Sequence, residues 1–266
     1  MESVMSWFKL SALAIAASLT ACSSSPTGRN QLLLFSDSDM SNLGAQPFEQ
    51  MKQQQKVSNN VKLNNYVQCV ADAVTAQVPK QPEFDKWEVV VFDSEQVNAF
   101  ALPGGKIGVY TGLLNVAQNQ DQLATVIGHE IAHVLADHSN ERLSQSQLAN
   151  TGLQLTSVAL GASEYAQYRE ATMAALGLGV QVGVLLPYGR TQESEADIVG
   201  LELMARAGFD PRQSIALWQN MAKASKGQQP PELLSTHPSH GTRIQDLTET
   251  MRKLPSYGAT KPNCKV

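Results

Sequence analysis

Apolar residues recur every three or four positions in some stretches of the chain and alternate or run together in others, which separates helices from strands. Between residues 60 and 78, Leu63, Tyr66, Val67, Val70 and Val74 form one helical stripe, closed by Pro79 and Pro82. A helix also fits residues 38 to 56. Trp87 to Phe92 is β-rich, and Val97 to Leu102 and Lys106 to Tyr110 flank Pro103-Gly104-Gly105, which predicts a hairpin. The longest predicted helix runs from about Asp121 to Gln147, capped by Asn119, with Leu123, Val126, Ile127, Val134 and Leu135 along its stripe. Residues 148 to 186 are apolar and rich in Gly and Ala. A further helix over about 191 to 207 stops at Gly208, and Asp210-Pro211 suits the cap and first turn of the next. After a loop from Gln228 to Ser239, a last helix ends near Leu254. No internal repeat is present. This order predicts an α+β fold, mostly helical, with a small β-sheet.

Composition changes the picture in two places. The chain has 266 residues, 42% hydrophobic and 17% charged, with a formal net charge of -4 and no basic cluster, which argues against nucleic acid as a partner. Its first residues differ from the rest. Lys9 precedes a short apolar run, Leu10 to Leu19, and Leu19-Thr20-Ala21-Cys22 follows. A charged start, a brief apolar core and small residues before a break describe a secretory signal over residues 1–21, too short to span a bilayer. Small residues directly before Cys22 resemble the lipobox of bacterial lipoproteins, in which the signal is removed and the cysteine lipidated. Glu2 fits such a signal poorly, and a start at Met5 would leave it out. Ser23 rather than an aspartate follows Cys22, which by resemblance to such lipoproteins implies the outer membrane, facing the periplasm. The organisation expected is thus a signal over 1–21, a lipidated Cys22 and polar tether over 22–31, a catalytic domain over 32–255 and a tail over 256–266. In an oxidising compartment the remaining cysteines, Cys69 and Cys264, can pair or stay free; the sequence leaves this open.

The chemistry lies in two motifs. His129-Glu130-Ile131-Ala132-His133 sits inside the long helix. Residues four apart differ by only about 40° around a helix, so both imidazoles project from one face and can share a metal. Zinc suits two neutral imidazoles and a carboxylate, with a fourth position for water. Glu130 adjoins the first histidine and suits a general base rather than a ligand. Glu193-Ser194-Glu195-Ala196-Asp197 opens a later helix. Glu193 and Asp197 share a face there, Glu193 as third ligand and Asp197 as acceptor for a histidine's other nitrogen, while Glu195 points away. Acids near a helix start also merely offset its positive end; beside the two histidines the ligand reading is preferred. One zinc per chain is expected.

His-Glu-Ile-Ala-His-Val, followed some sixty residues on by Glu-Ser-Glu-Ala-Asp, resembles metallopeptidase family forty-eight. That family includes HtpX, the CAAX prenyl endopeptidases, mitochondrial Oma-type proteases and periplasmic lipoprotein members. The resemblance extends to Asn98-Ala99-Phe100-Ala101, to Gly104-Gly105-Lys106-Ile107, to Ser235-Thr236-His237-Pro238 and to Arg243-Ile244, and the Thr27-Gly28-Arg29 stretch is similar to the lipoprotein members. It implies a zincin-like (gluzincin) fold whose sheet edge flanks the zinc helix. It implies that Asn98, Ala99, Phe100 and Ala101 are the edge strand onto which an extended peptide adds, and that His237 and Arg243 lie near the cleft. Either could stabilise the oxyanion, and His237 could instead close the metal's open position.

Other features carry less. His138, nine residues after His129, falls on the opposite side of one continuous helix and suits a structural role; His240 reads as a surface residue opening a helix. Residues 171–186 are uncharged, and a buried, closely packed helix is preferred there over a membrane-touching lid. The function expected is cleavage of unfolded or extended envelope proteins, in quality control or processing. The competing reading is a chaperone-like lipoprotein with structural zinc, in which Glu130 would have no task.

Overall fold

The computed structural model describes residues 22–181, 186–224, 233, 237 and 243–265. Its elements in chain order begin with strands β1 (Cys22–Ser24) and β2 (Asn30–Leu32), then helices α1 (Asp37–Gln54) and α2 (Val61–Thr75). Strands β3 (Glu88–Phe92), β4 (Ala99–Leu102) and β5 (Lys106–Tyr110) follow. A short helix, α3 (Thr111–Leu114), leads to α4 (Gln120–Leu135), α5 (His138–Gly161), α6 (Arg169–Val180) and α7 (Leu186–Arg206). Helices α8 (Gln213–Ala224) and α9 (Arg243–Lys253) are the last among the described residues. The fold is mostly helical with small sheets, as expected. It divides into two units: Asp37–Ala136 with Pro187–Val266, and the described residues through Ser36 with Asp137–Leu186.

In the larger unit, β5 lies between β3, its parallel neighbour, and β4, its antiparallel one. Alternation along the strands gives the sheet two apolar faces. Val89, Val91, Ala99, Ala101, Ile107 and Val109 join the hydrophobic core with residues of α2 and α4. Phe92, Phe100 and Tyr110 form an aromatic layer that Phe48 of α1 meets edge-on. Gly108 is required here, since a Cβ at that position would lie 2.2 Å from the Phe100 ring. Helix α2 starts where Asn60 Oδ1 accepts bonds from the N–H groups of Lys62 and Leu63, and it buries Tyr66, Val67, Val70, Ala71 and Val74. Helix α4 is buried on every side from Asp121 to His133, as a central helix must be. Asn119 caps it through Gln122 N–H.

The tail is bound to this unit. Cys69 and Cys264 are joined by a disulfide. Lys261 pairs with Asp121 at 2.8 Å, Gln120 Nε2 donates to the Pro262 carbonyl, and Cys264 N–H donates to Gln120 Oε1. The last residues thereby fasten the first turn of α4.

The smaller unit corrects three expectations. The long helix does not run to Gln147. It ends at Leu135, Asp137 takes a left-handed conformation (φ 50), and α5 begins at His138. Aspartate is among the few side chains that tolerate this geometry. The helical phase that set His138 against His129 therefore does not carry across; His138 is buried, 1% exposed, in the smaller unit. The polar tether is a paired hairpin: Ser23 faces Gln31 across β1 and β2, and Gly28 (φ 84) makes the turn. Arg29 grips Glu141 of α5 with both Nη atoms, at 2.5 and 2.8 Å, and Asn140 binds the Phe35 main chain through both amide atoms. Residues 169–180 form a helix, but α6 buries none of its side chains, and Leu178 is 68% exposed. Its Gly and Ala residues were expected to pack closely against a neighbour and do not. Among the described residues no helix is long and apolar enough to cross a membrane.

Candidate metal centre

Two helices carry the site. Helix α4 supplies His129, Glu130 and His133, and α7 supplies Glu193 and Asp197. They touch backbone to backbone beside His129. A Cβ on Gly200 would lie 2.7 Å from His129 N, and one on Gly128 would lie 2.8 Å from Gly200 O. Only glycine at both positions permits this approach, and it brings a carboxylate of α7 within reach of both histidines. Helix α7 already runs at Leu186, so Glu193 and Asp197 lie about two and about three turns inside it rather than at its opening. Offsetting a helix terminus therefore does not account for them.

The donor atoms face one another. His129 Nε2 is 3.1 Å from His133 Nε2 and 3.2 Å from Glu193 Oε2, and His133 Nε2 is 3.4 Å from Glu193 Oε1. Ligands about 2.0–2.2 Å from a tetrahedral metal lie about 3.3–3.5 Å apart, so this donor set fits such an ion. His129, His133, Glu193 and His237 together offer four ligand atoms within 4.8 Å of one another. His237 Nδ1 is 3.0 and 3.1 Å from the Glu193 oxygens and 3.4 Å from His129 Nε2. Its main-chain N–H donates to the Leu233 carbonyl, and Leu233 N–H donates to Val97, which ties His237 to the start of β4.

Around these donors lies a second set of contacts. His129 Nδ1 is 3.0 Å from Asp197 Oδ1, and donating there leaves Nε2 to face the other donors. Arg243, 2% exposed, donates through Nη2 to the same Asp197 oxygen at 2.6 Å. Burial alone would lower the pKa of His129, but hydrogen bonds to Asp197 and Glu193, and their charges, push it up to about 9. Burial would raise that of Glu193, yet bonds from His129 and His237 hold it far below the usual carboxylate range. A metal binds neutral imidazole, so it and the proton compete for His129. Glu130 is 3% exposed; its Oε1 has no hydrogen-bond partner among the described residues and lies 3.5 Å from His237 Nε2.

The structure thus brings together His129, Glu130, His133, Glu193, Asp197, His237 and Arg243. Strand β4 packs beside α4, and among the described strands it pairs only with β5. Ala99 is buried and the Phe100 ring lies over Gly108, so both side chains are engaged within the fold. Ser235, Thr236, Pro238 and His240 lie outside the described residues. Gly128, Gly200 and Trp218, whose ring centroid is 3.5 Å from the Arg243 guanidinium carbon, are not legible as site residues in the sequence. A helical glycine reads locally as a weak point, and a Trp at an apolar position reads as core.

We expect Gly200→Ala to force the two helices apart, weakening metal binding about tenfold or more and costing about 1–3 kcal/mol of stability. Gly152→Ala is the control, since a Cβ there meets nothing within 4 Å. Chelator competition and denaturant titration read both effects; wild-type metal affinity in Gly200→Ala would show that this crossing does not set the site.

The class of protein that this fold and donor set define is the metallopeptidases. A model of peptidase family M48 matches residues 58–251, and the chain belongs to that family. It is 33% identical over 240 residues to the mitochondrial metalloendopeptidase OMA1 of Bos taurus, covering 83% of this chain and 44% of that protein. It is 40% identical over 163 residues to OMA1 of Arabidopsis thaliana, covering 61% and 31%. It is 33% identical over 161 residues to the beta-barrel assembly-enhancing protease of Escherichia coli O157:H7, covering 59% and 32%. The chain therefore spans less than half the length of each of these relatives.

Proposed function

We propose that this chain is a zinc endopeptidase of the bacterial cell envelope, anchored by a lipid on Cys22 at the outer membrane and facing the periplasm. Its substrates are unfolded or extended envelope proteins, cut in quality control or processing. The observation that carries the catalytic reading is Glu130: a buried carboxylate oxygen without a hydrogen-bond partner among the described residues, beside donors at tetrahedral spacing. A purely structural site has no use for it. The envelope reading is supported by the lipobox-like residues before Cys22 and by the similarity to the bacterial beta-barrel assembly-enhancing protease.

In this reading His129, His133 and Glu193 hold one zinc ion. When bound, zinc lowers the pKa of its water to about 7 and polarises the scissile carbonyl. Glu130 accepts the proton of the attacking water and passes it to the leaving nitrogen. Asp197 fixes the tautomer and orientation of His129. An extended substrate adds to the open edge of β4 at Asn98–Ala101 through main-chain hydrogen bonds, which favours unfolded chains and tolerates many side chains. Arg243, whose Nη1 has no hydrogen-bond partner among the described residues, donates to the oxyanion. Metal-dependent cleavage of unfolded casein tests the activity; binding without cleavage would return the chain to the chaperone-like reading.

His237 completes four protein donors, and four protein ligands describe a closed site. A fourth donor that leaves when substrate arrives reconciles this with catalysis, and favours the closing role of His237 over an oxyanion role. His237→Ala is therefore expected to raise the casein cleavage rate several-fold while weakening zinc retention. A lower rate would assign His237 to the oxyanion instead, and an unchanged rate would remove both roles.

A further inference from the structure

We propose that Trp218 is a positioning residue of this site, its indole face fixing the plane of the Arg243 guanidinium and so the direction of that residue's donors. The proposal rests on the reading of Arg243 given above.

A guanidinium buried to this degree is costly unless its charge and donors are matched. Arg243 has one short bond, Nη2 to Asp197 at 2.6 Å, while Nη1 lies 3.8 Å from Glu193 Oε2, beyond hydrogen-bond distance. Neither Nη1 nor Nε has a hydrogen-bond partner among the described residues. Nη2 also lies 3.3 Å from His129 Nδ1, a nitrogen engaged with Asp197, and contacts made at this one nitrogen leave a planar fork free to rotate about it. The second restraint is Trp218 of α8, itself 7% exposed, with its ring centroid 3.5 Å from the guanidinium carbon. At that separation the cation lies face to face with the ring, because an edge-on approach would drive a nitrogen into it. The contact is well inside cation–π range, and desolvation strengthens it.

The stack and the Asp197 bond together leave the fork one orientation. The first consequence is that Arg243 stays on Asp197, which in turn holds His129. The second is that Nη1 stays near Glu193 without forming the bidentate pair that would compete with a metal for that carboxylate. A donor held in place before the reaction is the arrangement that stabilises developing charge best. Trp218 also fills core volume, so a loss of activity on its removal would not by itself show this role.

The experiment is a double-mutant cycle between Trp218→Leu and Arg243→Ala, with Trp218→Phe as the variant that keeps an aromatic face. Two quantities are read: kcat and KM for peptide cleavage, and zinc affinity by chelator competition. Trp218→Leu is expected to lower kcat about tenfold with KM nearly unchanged, and to weaken zinc about tenfold. Trp218→Phe should recover most of both. In the Arg243→Ala background, Trp218→Leu should add no further loss in zinc affinity or kcat. Losses that multiply would overturn the proposal and leave Trp218 as core. Should Trp218→Leu fail to fold, Trp218→Met, flexible and apolar, takes its place in the same cycle. Wild-type kcat and zinc affinity in Arg243→Ala alone would instead overturn the reading of Arg243, which separates the two failures.

Discussion

Glu130→Gln should abolish most peptidase activity while leaving the protein folded and zinc-loaded. The substitution preserves the volume of a side chain that is 3% exposed and removes only its ability to take a proton. General acid–base catalysis is worth about 10²–10⁴-fold, and the proposed mechanism uses Glu130 twice, so kcat should fall by about that factor. Because Glu130 is not among the donors that cluster, zinc content should match wild type. Casein cleavage, plasma mass spectrometry and a thermal melt read the three quantities together. Activity within tenfold of wild type would mean that another group takes the proton, and the mechanism would need a different base.

The second large effect concerns stability. The Cys69–Cys264 disulfide closes a loop with a sequence separation of 195 residues. In the chain-entropy model, closing so long a loop stabilises the fold by about 5 kcal/mol. Domains of this kind are stable by only about 5–15 kcal/mol in total. The paired substitutions Cys69→Ser and Cys264→Ser should therefore lower the guanidinium midpoint substantially. They should also loosen the first turn of α4, which the tail holds through Gln120 and Asp121. Denaturant titration checks this, and a loss under about 1 kcal/mol would show that the tail's polar contacts suffice.

What was legible in the sequence divides by the range of the interaction that decides it. The stripe of α2, the cap at Asn119 and the hairpin around Gly104-Gly105 are set by residues close in the chain, and the local pattern reveals them. The donor pairs were legible for the same reason, since a spacing of four places two side chains on one helix face. The break at Asp137 was not, because a polar, helix-compatible sequence continues through it and a single left-handed residue leaves no periodic trace. The exposure of α6 was missed because apolar composition does not show whether a partner surface exists. The contacts of Gly128 with Gly200, and of Trp218 with Arg243, join residues far apart in the chain. They are properties of how helices cross, and no local pattern contains them.

The claim on which everything else depends is that His129, His133 and Glu193 hold one zinc ion. Zinc content of purified wild type and of Glu193→Ala, by plasma mass spectrometry after dialysis against a weak chelator, tests it directly. About one zinc per chain is expected in wild type and a large loss in Glu193→Ala, with cleavage lost in parallel. Full zinc occupancy in Glu193→Ala, or undiminished cleavage by metal-free protein, would contradict it.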